Sequence, residues 1–407
     1  MPLDAELNLP LEQYSHGLRQ RVAVEVARSG FGETVEIIDK TTAAKIGKRQ
    51  AEELAYHSAI DFEEFYQQQQ AQSSESKETA EIVVISVDGK GVVVRTEDLR
   101  STTQKRALAN SKKLEKRLTK GEKRHSKRMA TVASVYTINP FVRTAQQIVN
   151  PSESEKKKKR PRPISKRVWA SIVQQPETVI STAFDEALYR DPNREKCFCA
   201  LVDGNKQQLS LLKKLAKHHH LNLTIVLDII HVIEYLWKAA FVFHSPTSQQ
   251  AEAWVTKRLL LILEGRSSSV AAGMRRSATF GQLSQSQRQP VDNCARYLLN
   301  NREYLKYNDY LKAGLPIATG VIEGACRHLI KDRMDITGAR WSLAGAEAVL
   351  RLRSLYISGD WDEYWRFHLE LEHQRHHKAL YKGEIPLMKQ VIQARCSLIP
   401  PPLAISF

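Results

Sequence analysis

Two apolar segments decide the fold: Ile82-Val-Val-Ile-Ser-Val-Asp-Gly89 and Cys197-Phe-Cys-Ala-Leu-Val-Asp-Gly204. Each is a run of apolar residues that ends in Asp-Gly, which is typical of a buried strand that reaches a turn. Aspartate is depleted in strands, and glycine lets the chain turn away and leave the carboxylate at the rim of a sheet. We therefore predict two buried strands whose last side chains, Asp88 and Asp203, lie at one sheet edge.

The other elements follow from the same kinds of pattern. Further strands are predicted at 91–95, as the hairpin partner of the first strand, at 129–138 and at 223–228, and helices at 176–190, 207–217 and Ile229–Phe243. The order β-β-β-α-β-α-β-α predicts an α/β fold, a mixed five-stranded sheet covered by helices. This order resembles the RNase H-like fold, whose spatial strand order 3-2-1-4-5 makes the first and fourth strands neighbours.

Changes in composition predict the domain boundaries. A small N-terminal helical region precedes a polar, glutamine-rich linker, and a helical block interrupts the sheet domain. The predicted segments are 1–66 for the N-terminal region, 67–80 for the linker, 81–245 for the first part of the core with a basic insertion at 103–167, 246–315 for the α-helical insertion, 316–357 for the final core helix region and 358–407 for a C-terminal tail.

The N-terminal region has the outline of a helix-turn-helix. Gly47 falls between two short helical patterns, and Lys48 and Arg49 begin the second one. The second helix of such a unit can enter a DNA major groove. Many αα-hairpins have the same outline, so an ordinary helical hairpin is the alternative.

The net charge of +16 is concentrated in one segment. Residues 103–170 contain 20 lysines and arginines against four glutamates, and the rest of the chain is neutral. Such a block favours a polyanionic partner, most often nucleic acid, although a solvated insertion that aids solubility is the alternative. The candidate phosphate-binding residues here are Lys123, Arg124, Lys127, Arg128, Lys156, Lys157, Lys158, Lys159 and Arg160.

Several classes of protein are disfavoured by the composition. No apolar run reaches the roughly 18 residues needed to cross a bilayer, and the N-terminus lacks the profile of a secretory signal. The five cysteines are an odd number and scattered, which argues against a disulfide scaffold and for a reducing, cytoplasmic location. Cys197 and Cys199 have no second Cys or His pair at zinc spacing, so we interpret them as core residues.

The predicted strand order has a chemical consequence. Asp88 and Asp203 would lie on neighbouring strands about 4.8 Å apart, and two carboxylates that close repel unless a divalent cation lies between them. Hard oxygen ligands suit Mg²⁺ or Mn²⁺, and two such ions support phosphodiester displacement. Glu323, on the last helical segment, is the candidate third carboxylate, and two ordinary Asp-Gly turns are the alternative interpretation.

Two neighbouring features of the sequence leave alternatives open. Asp228 also ends a strand and is the rival second carboxylate, but it can instead cap the following helix, with His231 contacting substrate. Glu323, Arg327 and Lys331 are spaced by four and share one helix face. This row either offers cations to a DNA phosphate beside the metal site or is a surface row of charges.

Four blocks of the sequence closely resemble the ISKra-type family of insertion-sequence transposases, and the likeness runs from about residue 3 to about residue 370. The blocks are Ile85-Ser-Val-Asp-Gly-Lys-Gly91, Gly121-Glu-Lys-Arg-His-Ser-Lys-Arg-Met-Ala130, Ile225-Val-Leu-Asp-Ile-Ile-His-Val-Ile-Glu-Tyr-Leu-Trp237 and Gly314-Leu-Pro-Ile-Ala-Thr-Gly-Val-Ile-Glu-Gly-Ala-Cys-Arg-His-Leu-Ile-Lys-Asp-Arg-Met-Asp-Ile-Thr-Gly-Ala-Arg-Trp-Ser342.

The resemblance implies a DDE-type transposase with an RNase H-like catalytic domain that uses divalent metal. Its first aspartate corresponds to Asp88, its glutamate to Glu323, and its second aspartate to Asp203, while the Asp228 block corresponds to a Cys/His-type motif. The implied partners are double-stranded DNA, both terminal inverted repeats and target, and further copies of the chain, with no membrane.

Two alternative functions remain open, and the sequence differs from the family at one point. A nuclease of the same fold would cut without joining, and an inactive or domesticated transposase would bind DNA without catalysis. Many relatives begin with a cysteine-rich, zinc-ribbon-like stretch just before the Leu-Asp-Ala-Glu-Leu segment, where this sequence starts, so we expect either a shorter variant or a missing upstream piece.

Overall fold

In the computed structural model the described residues are 2–72, 79–109, 126–156, 159–336 and 338–381. Their contacts divide the chain into two units, Met1–Ser73 with Ala344–Phe407 and Ser74–Leu343. None of the helices in the described residues combines the length and the apolar character that a bilayer crossing requires.

The second unit is built on a mixed five-stranded sheet. β1 pairs antiparallel with β2 and parallel with β4, β2 pairs antiparallel with β3, and β4 pairs parallel with β5. The strands are Ile82–Val93 (β1), Lys127–Ile138 (β2), Ile164–Ser171 (β3), Cys197–Val202 (β4) and Leu223–Leu227 (β5). The spatial order β3-β2-β1-β4-β5 confirms the predicted α/β sheet, and it is compatible with an RNase H-like fold.

The first strand is longer than its sequence pattern indicates. β1 continues through Asp88 as one strand of 12 residues, and Asp88 pairs with Val132 of β2. The predicted hairpin at Asp-Gly is therefore wrong: the supposed partner strand is the second half of β1. Gly91 has a packing role there, because a Cβ atom at that position would lie 3.0 Å from Cδ of Lys127.

The first half of the third strand, residues 164–167, lies inside the segment predicted as a basic insertion, so the insertion predicted at 103–167 ends within a strand. Arg167 and its neighbours obscure the strand pattern, yet Arg167 is buried. Its guanidinium donates to the Glu186 carboxylate at 2.5 Å and lies 4.7 Å from the ring centre of Trp169. A buried charge that is paired in this way is compatible with a strand in the sheet.

The helices of the second unit include the three predicted between and after the last strands. The Pro176–Arg190 helix packs on β1 and β2. The predicted insertion, 246–315, contains helices and turns but no strand. The helices are Ser101–Ala109, Ala145–Val149, Glu153–Lys156, Pro176–Arg190, Lys206–His218, Ile229–Phe243, Gln249–Leu263, Ser267–Phe280, Gln285–Asn300, Tyr307–Lys312, Gly320–Ala325 and Asp332–Met334, with 3-10 turns at Thr96–Asp98 and Arg302–Tyr304 and a π-helical turn at Cys326–Lys331.

The described part of the first unit is entirely helical apart from its connections. Its helices are Pro2–Glu6, His16–Arg28, Phe31–Thr42, Lys48–His57, Phe62–Ala71, Leu343–Ser358 and Trp361–His376, with a 3-10 turn at Lys378–Tyr381. Three boundaries differ from the predicted ones. The Leu343–Ser358 helix, predicted as part of the final core helix region 316–357, belongs from Ala344 onwards to this first unit. The polar linker predicted at 67–80 begins inside a helix, and the helix Trp361–His376, predicted as part of a C-terminal tail, belongs to the same unit as the N-terminal helices.

A buried network of charges holds the two chain segments of the first unit together. The Arg19 guanidinium donates to both oxygens of Glu372, at 2.5 and 2.7 Å. Asp61 is hydrogen-bonded to His368 at 2.6 Å and to Arg375 at 2.6 and 2.9 Å. Burial alone would raise the pKa of both carboxyls, but these hydrogen bonds and charges outweigh it, so the pKa of each carboxyl lies below its ordinary value.

We predict that Glu372→Gln lowers the stability of the chain by about 3 kcal/mol, because the buried Arg19 guanidinium loses its closest carboxylate. A lowered carboxyl pKa contributes stability above the unfolded value of about 4.3 and loses it as the pH falls through the folded pKa. The melting temperature of the parent should therefore fall more steeply than that of the variant on acidification below about pH 5.

The matched control is Glu53→Gln, which breaks the exposed pair between Arg49 and Glu53 at 3.1 Å. We expect that change to cost less than about 1 kcal/mol, because solvent screens exposed pairs. Equal melting temperatures for the two variants, measured by circular dichroism, would contradict a stabilising role for the buried pair.

Candidate active site

Three aspartates lie at one level of the sheet. The β1–β4 register ends two residues before Asp88 and Asp203, and the β4–β5 register ends one residue before Asp203 and Asp228. Neighbouring strands are separated by about 4.8 Å, so Asp88 and Asp203 are adjacent and Asp228 lies one strand further away. The predicted relation between the three residues in the sheet is therefore the observed one.

Asp88 is half-buried and held on both carboxylate oxygens. Oδ1 accepts the backbone N–H of Gly89 at 2.6 Å, and Oδ2 accepts the thiol of Cys326 at 3.2 Å. Burial first, and then the charge of Asp88, raises the pKa of that thiol, so it stays protonated and donates. Sequence reasoning missed Cys326, although its position three residues after Glu323 puts both on one helix face.

Asp203 directly follows β4 and is half-buried. Its Oδ1 accepts the backbone N–H of Asn205 at 2.8 Å, and its backbone carbonyl accepts the hydroxyl of Tyr297 at 2.8 Å. Gly204, with φ at +93°, turns the chain after it. The sequence predicts this turn correctly, and the resulting loop leaves the carboxylate at the end of the strand.

Asp228 is fully buried, and both of its oxygens are engaged. Oδ1 accepts the backbone N–H of Ile230 at 3.0 Å and that of Thr319 at 3.2 Å, and Oδ2 accepts the Thr319 hydroxyl. Asp228 is thus the N-cap of the Ile229–Phe243 helix, one of the two roles left open by the sequence. It also joins that helix to the segment that leads into Glu323.

Glu323 lies on the Gly320–Ala325 helix with its side chain exposed. Its pKa is raised, first by burial of part of the carboxyl and then by the negative charges of Asp228, Glu234 and Asp88, while His231 acts in the opposite direction. The negative charges near the ends of the strands therefore act on the carboxyl group of Glu323. Within the described ranges, no three carboxylate, imidazole or thiol groups already converge at metal-binding distances.

The segment that carries Glu323 is fixed at both ends. Before it, the Ile317 carbonyl accepts the backbone N–H of Ile229 at 2.9 Å. After it, Trp341 forms a parallel bridge with Val94 beyond the end of β1. Between these anchors the helix passes into the π-helical turn, a geometry that is frequent at functional sites.

The predicted cationic residues lie in several parts of the chain. Lys48 and Arg49 are exposed in the first turn of their helix, and Arg327 and Lys331 are exposed beside Glu323. The Arg128 guanidinium donates to the carbonyls of Ile172 and Asp98, both at 3.0 Å, and thus ties the sheet to a neighbouring loop. Of the others, Lys127, Lys156, Lys159, Arg160 and His231 are among the described residues, and Lys123, Arg124, Lys157 and Lys158 lie outside them.

A solved transposase complex is among the known structures to which this chain is similar. No protein-family model matches this chain, and no curated protein is similar to it in sequence. Among solved structures it is similar to the "Drosophila P element transposase strand transfer complex", at 8% identity and a TM-score of 0.28 over 89% of this chain and 82% of that chain. A TM-score this low does not establish a shared fold, so the fold assignment depends on the sheet itself.

We predict that Asp228→Ala loosens the segment that carries Glu323. The variant leaves the N–H groups of Ile230 and Thr319 without their acceptor, and an unsatisfied buried donor costs about 1–3 kcal/mol. Amide hydrogen exchange in 319–326 should become about tenfold faster or more, measured by mass spectrometry.

Asp228→Asn is the matched control, because its amide oxygen still accepts both N–H groups and its nitrogen can donate to Thr319. We expect near-parental exchange for that variant. Parental exchange in Asp228→Ala would show that Asp228 does not position this segment.

Proposed function

We propose that the chain is a DNA transposase that binds the terminal inverted repeats of an insertion sequence, cleaves the DNA there and joins the freed 3′ end to target DNA. Asp88, Asp203 and Glu323 are the proposed catalytic carboxylates. The observation that carries the proposal is the pair of aspartates at one level of adjacent strands, with Glu323 on a segment that hydrogen bonds join to Asp228 at the end of β5. The four sequence blocks described above support the same reaction class.

Mg²⁺ or Mn²⁺ is the proposed cofactor, held by Asp88, Asp203 and Glu323. The residues fit such an ion in chemistry, because all three donors are hard carboxylate oxygens and their mutual repulsion would be relieved by a divalent cation. When bound, metal ions of this kind activate the attacking oxygen and stabilise the leaving oxygen of a phosphodiester.

The protein's own contribution is to orient these carboxylates. Asp88 is oriented by the backbone N–H of Gly89 and the thiol of Cys326. Asp203 is oriented by the backbone N–H of Asn205. Glu323 is positioned indirectly, because Asp228 binds the residues just before its helix. Contacts of this kind restrict the conformations of the two aspartates before substrate binds.

DNA phosphates are the proposed partners of the exposed cations. Arg327 and Lys331 follow Glu323 along one helical segment, so a strand that reaches the carboxylates would also pass these side chains. Lys48 and Arg49, in the first unit, and Lys159 and Arg160, beside β3, extend the proposed contacts. Assembly of several copies on DNA belongs to the same proposal.

We predict that Glu323→Gln abolishes strand cleavage and strand transfer while DNA binding survives. The change keeps the size of the side chain but removes a charge and a hard ligand, and we expect the rate to fall about 10³-fold or more, equivalent to several kcal/mol of barrier. Cleavage and joining of a terminal-repeat duplex in Mg²⁺ measure the rate, and a gel shift of the same duplex measures binding.

Glu252→Gln, an exposed carboxylate in the helical insertion, is the control and should keep parental rates. Near-parental cleavage by Glu323→Gln would assign Glu323 to a surface row of charges. Metal-dependent cleavage by the parent without joining of pre-cut ends would identify a nuclease instead.

We also predict that Asp203, and not Asp228, supplies the second metal ligand. Asp203→Asn should lose cleavage in both Mg²⁺ and Mn²⁺ with its fold intact, because a neutral amide is a poor ligand for these ions. Asp228→Asn should retain measurable activity, since an asparagine can still cap the helix and bond Thr319. Loss of cleavage in Asp228→Asn together with activity in Asp203→Asn would reverse the assignment.

A further inference from the structure

A cleft of about 600 Å³ opens beside Asp203, within the second unit. Its walls come from the loop after β4 and the helix that follows it, from the Ile229–Phe243 helix and from the helical insertion. The lining residues used below are Lys206, Tyr235, Asn293, Arg296, Tyr297 and Asn300. This volume is in the range of ordinary small-ligand sites.

Two tyrosines give the cleft an aromatic surface whose position is fixed relative to Asp203. The rings of Tyr235 and Tyr297 stack with centroids 4.2 Å apart and planes inclined by 16°. The Tyr297 hydroxyl donates to the Asp203 carbonyl at 2.8 Å, which ties the pair to the end of β4. Lys238 lies over the Tyr235 ring at 5.2 Å, so the aromatic pair is also flanked by positive charge.

The polar lining has cations and amides available to a ligand. The side chains of Lys206 and Arg296 are exposed, and neither side chain has a hydrogen bond or ion pair with any other residue that the structure describes. Lys213 differs from them, because Glu303 binds it at 2.9 Å. Asn293 and Asn300 add side-chain amides, which both donate and accept hydrogen bonds.

We propose that this cleft binds one nucleotide of a DNA strand, with its base at the tyrosine pair and the asparagine amides and its phosphate at Lys206 and Arg296. Aromatic surfaces that stack bases, combined with cations that contact phosphates, are the features by which proteins hold single-stranded nucleic acid. The proposal rests on the proposed function, because a strand whose phosphate lies at Asp203 would bring its neighbouring nucleotide to the cleft.

The test is binding of the full chain to a fluorescein-labelled oligothymidine single strand, measured by anisotropy in EDTA, so that no cleavage occurs. The double variant Lys206→Ala/Arg296→Ala should bind about tenfold more weakly. The control Lys312→Ala/Arg276→Ala removes the same charge from exposed positions outside the cleft and should change affinity less than about twofold. Equal losses in the two double variants would overturn the proposal.

A second measurement reports stacking rather than charge. A single strand that carries one fluorescent purine analogue should be quenched on binding to the parent and clearly less quenched by Tyr235→Leu at saturating protein. Parental quenching by that variant would contradict base binding at the tyrosine pair. Competition by free thymidine monophosphate as strong, per molecule, as that by the oligonucleotide would identify a free-nucleotide site and overturn the assignment to a DNA strand.

These outcomes are separable from those of the proposed function. If Glu323→Gln abolishes cleavage while the cleft variants bind the single strand like the parent, the cleft proposal fails and the transposase proposal stands. If the cleft variants lose binding while Glu323→Gln cleaves normally, the carboxylate site fails and the cleft remains a nucleic-acid site.

Discussion

The geometry of the candidate site depends on the hydrogen bonds that the buried carboxyl group of Asp228 accepts. A buried carboxyl group is stable only when its oxygens have enough hydrogen-bond partners. Here the donors come from two places, the first turn of the Ile229–Phe243 helix and Thr319, 91 residues further along the chain. Satisfying Asp228 therefore requires the segment that leads into Glu323 to return to the end of β5, and this requirement brings Glu323 to the strands that carry Asp88 and Asp203.

The same arrangement concentrates negative charge at one sheet edge. Burial of part of the carboxyl, and then the negative charges of Asp228, Glu234 and Asp88, raise the pKa of Glu323, and the opposing effect of His231 does not offset them. A protein that gathers carboxylates in this way gains nothing in stability from it, because like charges repel. The arrangement is explained if the edge binds a cation, and perturbed carboxyls at the end of a sheet are in general candidates for function.

The sequence predicts the sheet better than the contacts around the site. Apolar runs identify β1, β2, β4 and β5 because these strands are buried, and the strand order then puts Asp88 next to Asp203. β3 is not predicted because Arg167 makes its sequence look like an exposed basic segment. The carboxylate that pairs with Arg167 in the interior is Glu186, which lies on a helix that local sequence patterns do not connect to this strand. The bonds of Asp228 to Thr319 and of Cys326 to Asp88 likewise join residues far apart in sequence, so local periodicity contains no signal for them.

The two Asp-Gly pairs show how one sequence signal has two physical causes. Gly204 is required by backbone conformation and by space, since φ is +93° and a Cβ atom would lie 3.1 Å from Leu227 and 3.3 Å from Tyr297. Gly89 lies within a continuous strand, where a Cβ atom would meet the Met129 side chain at 3.2 Å. The turn signal is therefore correct only after β4, where the missing side chain also lets the helical insertion approach the carbonyl of Asp203. Because that approach fixes Tyr297 at the end of the strand, the insertion forms part of the candidate site and does not merely interrupt the sheet domain.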